Sequence, residues 1–513
     1  MSGVAARLRA FVRRPGGSLL VVLALLAAGL ATDVIPDGPH GDYPSPGAVR
    51  QVDVARSSAA CPDPVVDPTT ATEVGLAGTG PVVTGVGARG DVSDGPGQAT
   101  LGALAPTGTP AVPVVRVQAP GSATYSSVAG TGPLVARGTG SSAPGLVASQ
   151  LTRSTNATMR GLAGTTCAAS TTDFWFVGSG AVVGQRGRVY LTNTEAAPAV
   201  VDVELYGPDG PIGAPDAQGV TVAAGEQEVR LLDALAPGTS RFAIHVRTRQ
   251  GRISAAVRDL QVDGLTPLGA DWLPPAAAPS LHLWVPGVPG GPGERRLRVV
   301  APGESDAIVR VRLLSDSGDF APAGLDVIEV PAGSVTDVDL APFTGGEAVT
   351  VELESDAPVT AGVLTRLGVR AGRLGDIAYA AAGTALVPAT PGVVAQARTG
   401  ETVTSSLLLT APGDAATVEL TPLAPAGGPA VEVDIPAGRH VVIDLATVST
   451  AEAYALAVSP LPGSGPVLAV RQVEELEARG PMITSTPVTP GRYAVPVPRV
   501  VADVSTGLRQ GVG

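Results

Sequence analysis

The chain has no lysine: all 34 basic side chains among its 513 residues are arginine. Beside an alanine excess, this reads as the codon bias of a GC-rich genome and not as function. Charge is scarce at 16% and aromatics scarcer at 3%, yet 44% of the residues are hydrophobic and mean hydropathy is +0.28. That combination excludes a disordered polyelectrolyte. Glycine and proline number 66 and 48, short of the roughly 25–30% share at which low-complexity disorder becomes the default. What remains is a turn-dense chain whose apolar mass is valine, alanine and leucine, suited to many short strands. Its length allows about three domains at ~150 residues each.

Arg7, Arg9, Arg13 and Arg14 precede the first apolar run, and beyond it 30 arginines face 46 acids. This balance argues against a nucleic-acid partner and keeps the body off anionic lipid. The run itself reads SLLVVLALLAAGLA at 18–31, within an uncharged stretch at 16–32. A basic start ahead of an apolar run is an export signal. Two outcomes stand. The helix is retained as a single-pass anchor, at the lower limit of a ~17–25 residue span, with its N-terminus inside. Otherwise it is cleaved near Ala31, where Gly29 and Ala31 are small. Either way the body lies outside the cytoplasmic membrane.

Cysteine is limited to Cys61 and Cys167, and an even count in an exported chain favours a disulfide. A metal site or catalytic thiol finds no support, because no histidine lies near either cysteine and no CxxC pair occurs.

Residues 33–60 carry Pro36, Pro39, Pro44 and Pro46 among glycines and aspartates, the chemistry of a flexible stalk. Residues 61–170 form a Gly/Ser/Thr-rich β region with short strands such as VPVVRVQAP at 112–120 and TGPLVARG at 131–138. Small side chains leave their register weakly specified. From Asp173 the chain repeats. VTVAAGEQEVRLLDAL from Val220, IEVPAGSVTDVDLAPF from Ile328 and VDIPAGRHVVIDLATV from Val433 are strand-turn-strand segments whose glycines, Gly225, Gly333 and Gly438, stand 108 and 105 apart. A second set of segments ends at Arg258, Arg366 and Arg471, with the same two spacings. Two landmarks with equal spacings define a repeat.

An earlier hairpin is expected in each unit, from Arg188, Arg296 and Ser406, with alternation such as VDVELY and VRVRLL. A short strand carrying Val177, Val285, Val387 and Val495 occurs four times for three modules. It is expected between modules, the last copy completing the third. The predicted organisation is a signal or anchor helix at 1–32, the stalk at 33–60, the β region at 61–170, β modules at 171–266, 267–370 and 371–501, and a disordered tail at 502–513. The fold class is all-β: three tandem immunoglobulin-like β-sandwich modules behind the N-terminal transmembrane or signal helix, stalk and Gly-rich β region.

Candidate chemistry is sparse. His40, His245, His282 and His440 show no HExxH or paired spacing, and neither a GxSxG elbow nor a P-loop occurs. The GxGxxG string of Gly85, Gly87 and Gly90 is followed by Asp91, Ser93, Asp94 and Pro96 instead of a helix, so it fails as a dinucleotide fingerprint. Asp316 and Asp319 match a calcium loop only loosely. Trp175, Trp272 and Trp284 fall in the first repeat and its junction with the second. They are read either as a stacking platform for sugar rings and a glycan or partner contact, or as plugs of a core or seam. Arg258, Arg366 and Arg471 read as structural, pairing with an acid or a loop carbonyl.

DFWFVGSG from Asp173, LTNTEAAPAVVDVELYGPDGPI from Leu191, GADWLPPAAAP from Gly269, LWVPGVPG from Leu283 and VPAGSVTDVDL from Val330 together resemble an uncharacterised family of actinobacterial exported proteins, known as a domain of unknown function. The resemblance covers most of the chain after Cys167. It implies an anchored or secreted cell-envelope protein and carries no assigned activity. The expectation is a non-enzymatic scaffold or interaction protein, without cofactor, metal or catalytic residue, whose partner is an envelope protein or glycan. The alternative is a glycan-binding accessory of envelope polysaccharide assembly. An envelope hydrolase would need two carboxylates converging in a cleft.

Overall fold

The computed structural model describes residues 49–64, 70–80, 97–106, 112–117, 119–130, 132–368 and 374–498. They are mostly β, and the longest helices, Leu232–Leu235 and Ala341–Thr344, run for four residues. The expected helix at 1–32, the first part of the stalk, the GxGxxG string and the tail at 502–513 lie outside the described residues. No described helix is long and apolar enough to cross a membrane. The chain divides into two compact units. The described part of the smaller belongs to a two-stranded sheet of Val49–Asp53 with Ala494–Pro498. The larger is Val52–Val495.

Module 1 shows the pattern. Its main strands are Asp173–Val177, Arg188–Thr192, Ala199–Gly207, Val220–Val222, Gln227–Leu231, Ala243–Gln250, Ser254–Asp263 and Thr266–Leu273. Counted one to eight, they make one sheet in the order 1-6-3-4 and another in the order 5-2-7-8, all antiparallel. Phe176, Leu191, Val203, Ile244 and Val257 fill the space between the sheets. Module 2 keeps this order, with strands six and seven merged into Val349–Leu367, which leaves one sheet and enters the other. Module 3 keeps it as well, from Gly392–Arg398 to Gly480–Pro487. Period-two alternation drives the burial: in Ala307–Leu314, Ala307, Val309, Val311 and Leu313 are buried while Ile308, Arg310 and Arg312 are exposed.

The region ahead of the repeats is a fourth sandwich. Its strands Arg56–Cys61, Thr70–Gly78, Gln98–Ala103, Pro113–Val117, Ser122–Val128, Leu134–Thr139, Leu146–Ser154 and Gly161–Thr166 take the same two sheet orders. The expected stalk therefore ends early, because residues 56–60 belong to its first strand. The Cys61–Cys167 disulfide lies in its core with Val74, Leu76, Leu101, Ala136 and Ala148. Small side chains hide the repeat here, yet Arg153 in strand seven precedes Arg258 by 105 residues, extending the arginine spacing to a fourth copy.

Four expectations are corrected. The predicted hairpins are crossings between sheets: Arg188–Thr192 pairs with Gln227–Leu231 and Ser254–Asp263, while Ala199–Gly207 pairs with Ala243–Gln250 in the other sheet. Gly225, Gly333 and Gly438 mark another crossing, each with positive φ (73°, 67° and 68°) that disfavours any side chain. Module boundaries fall later, since Thr266–Leu273 and Ile377–Ala381 close the modules that precede them. Val495 lies in Ala494–Pro498, which pairs with Val49–Asp53 and not with module 3. The strand order also departs from the immunoglobulin one. Pairs 2–5 and 3–6 are shared, but strand one joins the 3–6 sheet and strand seven the 2–5 sheet, the reverse of an antibody domain's first and last strands.

Candidate functional site

Each eighth strand is the edge of its sheet, so one side of its backbone has no strand partner. These edges meet. The eighth strand of the N-terminal sandwich packs against those of modules 1 and 3, and that of module 2 packs against the same two. Four inward-facing rows of N–H groups would be orphaned there, each costing about 1–3 kcal/mol. Two carboxylates satisfy them.

Asp376 accepts from the N–H groups of Leu162 and Ile483 at Oδ2 (3.1 and 3.0 Å) and of Ala270 and Ile377 at Oδ1 (3.3 and 2.9 Å). One carboxylate has about four acceptor positions, and all four sandwiches supply one donor. Further along the strands, Asp271 accepts from the N–H groups of Gly164 and Tyr379 (both 3.3 Å), from its own neighbour Trp272, and from the Thr484 hydroxyl (2.9 Å). Arg160, fully buried, donates to the carbonyls of Gly375 (2.8 Å), Gly480 and Pro481 (3.2 Å) and pairs with Glu477 at 3.3 Å. Burial pushes Asp376 up to about 7 against the pull of its N–H donors and Arg160. Burial also raises Asp271 well above the usual carboxylate range, and Asp376 adds to the rise.

Beside this axis, buried Asp259 accepts from the Tyr379 hydroxyl (2.5 Å) and from Gln261 (2.7 Å), and Gln261 in turn accepts from Arg366 (2.9 Å). Carboxylates thus converge, but at 0% exposure for Asp259, Asp271 and Asp376 they meet no cleft. At the seam between the N-terminal sandwich and module 3, a pocket of about 40 Å³ lined by Glu73, Arg153, Arg398 and Glu475 has room for a few waters at most. There Arg153 pairs with Glu475 (2.5 Å) and Arg398 with Glu73 (3.0 Å).

The tryptophans part company. Trp272 is 1% exposed, beside Tyr190 and beneath Arg258. Trp175 is 5% exposed and stacks flat on His245 at 4.1 Å. Neither offers an open ring face, so neither can stack on an incoming sugar, and the three do not form one platform. Trp284 is half-buried, tilted against His282 at 4.3 Å, with its Nε1 donating to Glu352 at 3.2 Å.

The landmark arginines share strand seven but not a ladder position. Arg258 lies opposite Arg188, Arg366 opposite Glu294 and Arg471 opposite Leu407. Their partners are the Pro64 carbonyl, the Glu294 carboxylate with Gln261, and the Gln396 carbonyl. Burial lowers Arg471 to about 10. Asp319 is bound to Arg312, which leaves the calcium-loop reading without its second acid.

Sequence reasoning missed two histidine clusters on outer sheet faces. His245 Nε2 meets Asp173 (2.7 Å) and its Nδ1 meets Glu204 (3.0 Å). His282 Nε2 meets Glu352 (2.9 Å), with Glu354 close by. The one local signal was His282 two residues before Trp284, a spacing that puts both on one face of a strand.

Fold and interior together define a class: a protein of repeated two-sheet β modules whose edge strands are joined through the buried carboxylates of Asp271 and Asp376. Residues 115–446, well over half of the chain, match the model of DUF5719, a family of unknown function, and the chain belongs to that family. The match begins inside the N-terminal sandwich, earlier than the resembling motifs suggested. No curated protein matches the chain.

Proposed function

We propose that this protein is a non-enzymatic scaffold or interaction protein of the cell envelope, its body held outside the cytoplasmic membrane by the apolar segment at 18–31 or released by cleavage near Ala31. In this reading the β-sandwich modules present their outer faces to an envelope protein or glycan. One observation carries it: the acids that converge are sealed on the axis and spent on backbone N–H groups, so the interior serves rigidity. The basic-then-apolar start, the acidic body and the disulfide support export. Crosslinking in cells followed by identification of captured partners tests it. Recovery of envelope proteins or glycan is the expected result, and exclusive recovery of cytoplasmic partners overturns it.

The second reading, a glycan-binding accessory, draws on Trp284, whose partly open ring stands among His282, Glu352 and Arg312 as a sugar-stacking residue would. Binding to purified wall polysaccharide that is lost in Trp284→Ala, with thermal unfolding unchanged, supports it. Binding that survives the substitution removes it. A hydrolase would need an open cleft between two carboxylates, and the buried acids lend that reading nothing.

A further inference from the structure

We propose that His282, Glu352 and Glu354 form a binding site for one divalent cation of the zinc class on the outer face of module 2. The donors lie on two neighbouring antiparallel strands, Ser280–Val288 and Val349–Leu367, where His282 is paired with Glu354 and Trp284 with Glu352. Leu283, Val285, Val351 and Leu353 take the core side, so alternation sends His282, Glu352 and Glu354 to the solvent side. One ligand atom from each residue lies within 4.8 Å of the other two. Ligands about 2.0–2.2 Å from a tetrahedral zinc stand about 3.3–3.6 Å from one another, so side-chain shifts of about an ångström close the site.

The donor set selects the cation. One imidazole nitrogen with two carboxylates suits zinc, cobalt or nickel, whereas calcium takes six to eight oxygens. Three protein ligands also leave a coordination position open. Orientation is built in around them. Trp284 Nε1 donates to Glu352 Oε1 and the indole packs against the imidazole, the kind of outer contact that holds a ligand in place. His282 Nε2 and Glu352 Oε1 already stand 2.9 Å apart. Arg310 and Arg312 face Glu354 and Glu352 from the strand Ala307–Leu314, and their charge opposes binding. Arg312 is drawn toward Asp319 and stays 3.8 Å from Glu352 Oε2.

Module 1 provides the contrast. Its His245 also lies among a tryptophan and two acids, but Asp173 and Glu204 take opposite ring nitrogens. Those carboxylates cannot close on one ion with the imidazole, so only the module 2 cluster is expected to bind.

The test is titration of the EDTA-treated, dialysed full chain with zinc chloride by calorimetry, and with nickel chloride by tryptophan fluorescence. One zinc per chain is expected, together with nickel quenching of the indole packed on His282. Affinity should fall at least tenfold in both His282→Ala and Glu352→Gln. His245→Ala should bind as the parent does. All three variants are checked by thermal unfolding, and exposed His282 should leave the melting temperature unchanged. Absence of a saturable site, or equal affinity in folded His282→Ala, overturns the proposal. Neither result bears on the scaffold reading, which crosslinking tests separately.

Discussion

Asp271 and Asp376 bind the same four strands at two levels: Leu162, Ala270, Ile377 and Ile483 donate to Asp376, while Gly164, Trp272 and Tyr379, two residues further along three of those strands, donate to Asp271 with the Thr484 hydroxyl. Where module 3 would complete the second level with a backbone N–H, it supplies a side chain instead. The pair thereby replaces the strand partners that four sheet edges lack.

Removing an acceptor here strands several donors at once. Asp376→Ala leaves four buried N–H groups unpaired, and at about 1–3 kcal/mol each the loss should be on the order of 5 kcal/mol or more. Asp376→Asn should also destabilise strongly, because its amide nitrogen points two donors at N–H groups that need an acceptor. Urea unfolding of the full chain measures both. A change below about 1 kcal/mol for either would mean that the axis is not what holds the edges together.

The same carboxyl makes stability depend on pH. Burial raises Asp376 to about 7, whereas an unfolded aspartate titrates near 4. The folded state therefore holds the extra proton between those values, and stability falls as pH rises from about 4 to about 7. Below 4 the group contributes nothing, and above 7 its penalty is complete. Asp271 and Asp259, raised by burial, act in the same sense. His440, held down by burial, acts in the opposite one. The readout is thus a difference: between pH 5 and 7.5 the parent's melting temperature should fall more than that of Asp376→Asn. Parallel curves would refute the assignment.

Arg160 should be far less replaceable than its surroundings suggest. Its guanidinium satisfies the Gly375, Gly480 and Pro481 carbonyls and Glu477 at zero exposure. Arg160→Met takes the buried donor from these carbonyls, while Glu477 keeps Arg479, at an expected cost of about 3–5 kcal/mol. Denaturant titration decides it, and Arg160→Lys should recover only part of the loss, since an ammonium lacks the planar fork.

The seam pairs should matter little by comparison. Arg153 and Arg398 keep 37% and 36% of their side chains exposed while paired with Glu475 and Glu73. Glu73→Gln and Glu475→Gln should each cost about 0–1 kcal/mol. Thermal unfolding in low and high salt should show a small difference that salt removes. A large, salt-resistant loss would show these pairs to be working as buried ones.

The disulfide should be worth more than either pair. It ties the first strand of the N-terminal sandwich to the residue just past its eighth, 106 residues away. The Cys61→Ala, Cys167→Ala double variant should lose about 2–5 kcal/mol. Non-reducing electrophoresis confirms the bond in the parent, and unfolding of the two proteins gives the difference.

The sequence alone determined what is local. Period-two alternation located strands such as Ala199–Gly207 and Ala307–Leu314, and the glycine spacing located turns, because Gly225, Gly333 and Gly438 must adopt positive φ wherever the chain goes next. A single pair of cysteines, with no histidine near either and no CxxC motif, sufficed for the disulfide. Tertiary structure decided which strands pair, because a strand and its turn look alike whether the chain returns to its own sheet or crosses to the facing one. It revealed the fourth sandwich, whose Gly, Ala and Ser positions carry too little hydrophobic contrast to show a buried face. It also decided the roles of Asp271 and Asp376. Each stands in an ordinary stretch of sequence, GADWL or GDIAY, and acquires its role only where strands more than a hundred residues apart bring unpaired N–H groups to one carboxylate.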